Sequence, residues 1–126
     1  MLLLDTCAIL WLAQGGGALS GPARQRINAA SVVYVSAISG FEIGIKQRKG
    51  KLILPARPGE WLNTVVSHHG LNILPLSLEM CVRATELPEI HRDPCDRLII
   101  ASAEIMNLPV VTADVVFQQY GIETMC

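Results

Sequence analysis

Asp5, Glu42, Asp96 and Asp114 stand where a folded chain gains least from keeping a charge. Asp5 closes the apolar run Leu2-Leu3-Leu4, and Asp114 follows Val110-Val111. Glu42 falls between Ile38 and Ile45 at helical spacing, and Asp96 heads the stripe Ile99, Ile100, Ala103. A buried, unpaired carboxylate is costly and tends to take up a proton. Four of them on apolar edges imply a cation that holds them together. Oxygen donors of this kind select a hard ion, Mg²⁺ or Mn²⁺.

Taken singly, each acid has a plainer reading. Asp5 and Asp114 suit the N-caps of following helices, and Asp96 in a first helical turn suits the helix dipole. Glu42 precedes Lys46 by four residues, a favourable helical ion pair. Four independent caps have no reason to converge on one edge, so the joint placement is the informative part.

The elements that must position these acids follow from the pattern. Residues 1–4 read as a strand, followed by a helix through Trp11 to about Ala13. Gly15-Gly16-Gly17 breaks it and loosens the first connection, and Ser20-Gly21-Pro22 opens a second helix. Val32 to Val35 is a β-branched strand, after which Ser36 caps a helix that Gly50 stops. Pro58 starts the helix with Trp61 and Val65, Leu71 to Leu74 is a third strand, and Ser77 begins another helix. Asp93-Pro94 is a cap followed by proline at the first helical position, opening a helix to about Met106. Pro109 to Thr112 is a fourth strand, and Gly121 to Met125 a short edge strand. Strands alternating with helices give an α/β fold, a central parallel sheet covered on both faces, in one domain over residues 1–126. Such sheets bind ligands at the carboxyl edge, where Asp5 and Asp114 fall directly and toward which Glu42 and Asp96 can point.

Composition narrows the classes further. Apolar residues make up 51% of the chain and charged residues 17%, which excludes a disordered chain. No apolar run approaches the roughly 18 residues of a membrane span. Cys7, Cys81, Cys95 and Cys126 have no zinc spacing, and nothing marks secretion, so reduced cysteines in a cytoplasmic protein are expected. Net charge is −1, yet Lys46, Arg48, Lys49, Lys51 and Arg57 are half of the ten basic residues. That cluster is either a solvated helix end or a patch that meets phosphates.

The chain resembles PIN-domain ribonucleases, and within them the toxin subunits of VapBC-type toxin–antitoxin pairs. Leu4-Asp5-Thr6-Cys7-Ala8-Ile9-Leu10-Trp11 is similar to the family's opening motif. Val35-Ser36-Ala37-Ile38-Ser39-Gly40-Phe41-Glu42-Ile43 resembles the second, which Lys49-Gly50-Lys51-Leu52 continues. His91-Arg92-Asp93-Pro94-Cys95-Asp96-Arg97-Leu98-Ile99-Ile100-Ala101 resembles the third and most specific, and Val111-Thr112-Ala113-Asp114 with Phe117 the fourth. Cys7 stands where this subgroup often has histidine and Cys95 where it has phenylalanine; neither departure touches the four acids.

The resemblance implies a catalytic, metal-holding pocket of Asp5, Glu42, Asp96 and Asp114, charged with Mg²⁺ or Mn²⁺. It implies endonucleolytic cleavage of RNA by metal-activated water, leaving 5′-phosphate and 3′-hydroxyl ends. It also implies a homodimer and a small VapB-like antitoxin that masks the pocket. Thr6 and Thr112 flank acids and support them or serve only as turn residues, and Asp93 is a supporting acid or a cap. Lys46, Arg48, Lys49, Lys51 and Arg97 are candidate RNA contacts, Arg97 equally a salt-bridge residue. His91, His68 and His69 are not needed as a base, and Trp11 and Trp61 read as core or dimer-contact residues. Two other classes stay open: another Mg²⁺-dependent phosphodiesterase or phosphatase, and a non-catalytic interaction module. Cys7 disfavours an Asp-x-Asp phosphatase, and the absence of lysine after Lys51 disfavours a receiver domain.

Overall fold

The computed structural model describes residues 1–126. Strand β1 is Leu2–Leu4, followed by α1 (Thr6–Ala13), α2 (Gly21–Ala29), β2 (Val33–Ser36) and α3 (Ala37–Arg48). Then come α4 (Pro58–His69), β3 (Asn72–Leu74), α5 (Leu78–Glu86), α6 (Pro94–Met106) and β4 (Val110–Val111). A 3₁₀ helix over Val115–Tyr120 and β5 (Thr124–Met125) close the chain. Side-chain oxygens of Ser20, Ser36, Ser77 and Asp93 cap α2, α3, α5 and α6 as their sequence positions predict.

All strand pairs are parallel, in the order β3-β2-β1-β4-β5. Strand periodicity divides the core. Leu2, Leu4, Val33, Val35 and Val111 face one layer with Ile9, Ala23, Ile27 and Val65. Leu3 and Val110 face the other, with Met80, Ala84, Ile99, Ile100 and Phe117. Trp11 and Trp61 pack, partly buried, against the first layer.

This order creates the crevice. From β1 the chain moves outward through β2 to β3, then returns to place β4 on the opposite side of β1. After β1 it enters α1, whose Ala8 and Ile9 pack in the first layer; after β4 it enters the 3₁₀ helix, whose Phe117 packs in the second. The two connections therefore diverge, and a cleft opens beyond the carboxyl ends of β1 and β4.

Two local expectations are corrected. The glycine run after α1 is a packed turn rather than a loose connection. Leu19 N–H donates to Gly16 O at 2.9 Å, and a Cβ on Gly17, at φ +47°, would lie 2.9 Å from Trp11 Cβ. On α3 the buried residues are Ser39 and Ile43, whereas Ile45 is exposed. Glu42 therefore flanks the buried face instead of standing in an Ile38–Ile45 stripe, because α3 packs against both α4 and α6.

Candidate active site

Asp5 is buried at the end of β1, and its Oδ1 accepts the Ala8 N–H at 2.8 Å as the N-cap of α1. Asp114 caps the 3₁₀ helix, its Oδ1 accepting from Val116 N–H at 3.0 Å. The capping reading of these two residues is therefore correct. It does not compete with a role at the site, because a carboxylate has a second oxygen. The Oδ2 of Asp114 faces His91 Nε2 at 2.8 Å, and the same nitrogen lies 3.1 Å from Asp96 Oδ2. Asp96 follows two residues after Pro94 in the first turn of α6, directed to the cleft while Asp93 caps that helix through Cys95 N–H.

Glu42 arrives from α3. Its Oε1 accepts from the Thr6 hydroxyl at 2.6 Å, and its Oε2 lies 3.0 Å from Lys46 Nζ. The Thr6 hydroxyl, having spent its single proton on Glu42, accepts from Ser39 Oγ at 2.9 Å. Thr112 performs the matching task across the cleft. Its hydroxyl accepts the Asp114 N–H at 3.0 Å and hydrogen-bonds the Asp5 side chain.

The charge pattern shows that the four acids are neighbours. Burial, followed by the charges of Asp93 and Glu42, pushes the Asp96 carboxyl up to about 7, and Asp5 adds to the rise against His91. Burial also raises Asp5, opposed by its bonds from Thr112 and Ala8 and assisted by Glu42 and Asp114. Negative charge is thus concentrated beyond what this site neutralises by itself. Carboxylate oxygens in excess of nearby cations are the donor set that a hard divalent ion fits. His91, Asp96 and Asp114 offer ligand-type atoms within 4.8 Å of one another.

Other expected residues are placed differently. The guanidinium of Arg97 donates to the carbonyls of Ala84 (3.0 Å), Leu87 (2.7 Å), Pro88 (3.0 Å) and His91 (3.0 Å). Neither an RNA contact nor a salt bridge describes it: it ties α6 to the end of α5 and the loop between them. Lys46 is paired with Glu42, which removes it from the free basic surface. Arg48, Lys49, Lys51 and Arg57 are exposed and form no ion pair. Cys7 and Cys95 lie beside the acids, and burial foremost, then acidic neighbours, raise both thiols, Cys95 to about 11. All four cysteines are free.

Ser39 and His91 belong to the site although sequence reasoning gave them no part in it. Ser39 carried no usable signal, since serine one turn before an acid is ordinary on a helix. His91 did carry one: it opens the same motif that contains Asp96.

The sequence model of the PIN domain family matches residues 2–123. The chain belongs to the PIN domain family. It is 31% identical over 116 residues to Ribonuclease VapC22 of Mycobacterium tuberculosis, across 90% of this chain and 86% of that protein. Among solved structures, the fold is similar to one in VapBC2 from Rickettsia felis bound to a promoter DNA fragment, with a TM-score of 0.72. Identity there is 16%, covering 98% of this chain and 96% of the other. DNA-bound VapBC from Salmonella typhimurium gives a TM-score of 0.69 at 22% identity, covering 98% and 97%. The parallel five-stranded sheet of this PIN domain is the α/β architecture expected from the strand–helix alternation. No helix is long and apolar enough to cross a membrane.

Proposed function

We propose that this PIN domain is an Mg²⁺- or Mn²⁺-dependent endoribonuclease, the toxin member of a VapBC-type toxin–antitoxin pair. One observation carries the reading: Asp96 from α6 and Asp114 from the β4 exit converge on His91 Nε2, at 3.1 and 2.8 Å, with the charges of Asp5 and Glu42 acting on the same group of acids. Asp5, Glu42, Asp96 and Asp114 would hold the ion. When bound, such an ion polarises a phosphodiester oxygen and makes water nucleophilic at neutral pH. The chain itself supplies preorganisation. Caps on α1 and the 3₁₀ helix hold Asp5 and Asp114, Thr6 and Ser39 hold Glu42, and Thr112 links Asp5 to Asp114. A 31% identical relative named a ribonuclease supports RNA as substrate. Structural neighbours that are toxin–antitoxin complexes support a small VapB-like antitoxin as partner. A homodimer and a cytoplasmic location complete the proposal.

Incubation of the purified full-length protein with total RNA tests it. Mg²⁺-dependent products with 5′-phosphate and 3′-hydroxyl ends, lost on chelation, are expected. Intact RNA at every Mg²⁺ and Mn²⁺ concentration would favour an interaction module instead.

The exposed basic segment has a separate expected role. Lys49 and Lys51 lie just past α3, the helix that delivers Glu42, and no carboxylate neutralises them. Their charge-neutral replacement should weaken RNA binding most at low salt and reduce the salt slope by about 0.7 per lost phosphate contact. Cleavage at saturating RNA should be nearly unchanged. Filter binding over a salt series reads this directly, and an unaltered slope would make the segment a solvated helix end.

A further inference from the structure

His91 sits in the segment between α5 and α6 and is held at each of its polar atoms. Its backbone N–H donates to Tyr120 Oη at 2.7 Å, and the Tyr120 hydroxyl in turn donates to Pro88 O at 2.8 Å. Its carbonyl accepts from Arg97 Nη1 at 3.0 Å. The ring meets Phe117 edge-on, with centroids 6.0 Å apart and planes at 82°. Nδ1 accepts the backbone N–H of Asp93 at 3.2 Å, and Nε2 faces Asp114 Oδ2 at 2.8 Å and Asp96 Oδ2 at 3.1 Å.

These contacts decide which ring nitrogen carries the proton. A nitrogen that faces an amide N–H presents its lone pair, so Nδ1 is bare and the proton is on Nε2. An imidazole that ligates a metal has the other arrangement: one nitrogen gives its lone pair to the ion, and the other donates its N–H to an acceptor. By spacing alone, His91, Asp96 and Asp114 are a plausible three-ligand set. The Asp93 amide excludes His91 from it, because it would face an N–H on Nδ1 if Nε2 turned to an ion.

We propose that His91 is a positioning residue and not a metal ligand: its Nε2–H is shared between Asp96 and Asp114 and holds these repelling carboxylates at the spacing a divalent cation needs. The ion comes from the function proposed above; the tautomer and the clamp stand without it. Tyr120, Arg97 and Asp93 keep the ring in place, so the loop before α6 sets the separation of acids delivered by α6 and by the β4 exit.

The test uses the full-length protein, with His91→Gln and His91→Leu as variants. Glutamine offers an N–H donor near the position of Nε2, and leucine offers none. Long-range ¹H–¹⁵N spectra of the wild-type ring are recorded without metal and with Mg²⁺, and Mg²⁺ and Mn²⁺ affinities are measured by calorimetry. The proton should be on Nε2 in both states. His91→Gln should bind both ions within about threefold of wild type, and His91→Leu roughly tenfold or more weakly for both ions alike. A proton on Nδ1 in either state overturns the proposal. So does a loss in His91→Gln confined to Mn²⁺, the mark of a nitrogen ligand, or wild-type affinity in His91→Leu. If His91→Leu does not fold, the spectra and the glutamine variant decide. If wild type binds neither ion, the metal reading fails, and the ring tautomer still decides the clamp.

Discussion

Asp96→Asn should lower RNA cleavage by at least about 100-fold while leaving the fold intact, a loss typical of removing one preorganised charged or polar group from a catalytic site. Asp96 projects into the cleft from the first turn of α6, and its Oδ2 is within 3.1 Å of His91 Nε2. The carboxylate is not the cap of its helix, a task that Asp93 performs, so the amide disturbs no capping bond. Asparagine has almost the size and shape of the protonated acid, and burial with nearby Asp93 and Glu42 already pushes this carboxyl up to about 7. The substitution therefore removes a charge the apo fold tolerates poorly, and thermal stability without metal should be unchanged or higher. Cleavage is to be measured at saturating Mg²⁺; wild-type rates there would remove Asp96 from the chemistry.

The second large effect is a dependence of stability on pH that metal reverses. The Asp96 carboxyl has an ordinary value of 3.8 and lies at about 7 in the folded chain, and burial moves Asp5 in the same direction. A folded-state value above the unfolded one means that the folded state binds more protons between the two. That stabilisation is fully present below about 3.8 and is lost as pH rises through about 7. Metal-free protein should thus be more stable at pH 5 than at pH 8, by about 2 kcal/mol, less than full linkage because the carboxyl still meets solvent. Mg²⁺ or Mn²⁺ binds the ionised carboxylates, so it should raise the melting temperature most at pH 8, by mass action. At an ion concentration 100 times its dissociation constant the gain is about 2.7 kcal/mol. An Asp5→Asn/Asp96→Asn variant should lose most of both the pH slope and the metal response. Calorimetric melts at the two pH values, with and without ion, check this; equal metal shifts in wild type and variant would count against the acid pocket.

The order of elements was readable because its causes are local. A serine or aspartate before an apolar-periodic run satisfies free amide groups within three residues, as Ser20, Ser36, Ser77 and Asp93 do. Short β-branched runs between such helices leave a parallel sheet as the arrangement that buries both faces. The positions of Asp5 and Asp114 at strand exits follow from the same reasoning, helical spacing singled out Glu42 and Asp96, and the motif resemblance joined all four in one pocket.

What surrounds those acids was not readable, because each partner lies far along the chain. Thr6 and Glu42 are 36 residues apart, and His91 and Asp114 are 23 apart. Their meeting depends on strand order and helix rotation, which place α3 and the loop before α6 over one crevice. Arg97 shows the limit clearly. Its place in a motif with phosphate chemistry pointed outward to RNA, whereas four carbonyls around the end of α5 and the following loop draw it inward. Sequence by itself determined which residues carry charge, where the helices and strands begin, and which acids stand at strand ends. Tertiary structure alone decided how each carboxylate's two oxygens are divided between cap and cleft, and where the His91 proton resides. Those outcomes are set by hydrogen-bond geometry between elements distant in sequence, and short-range propensity carries no information about it.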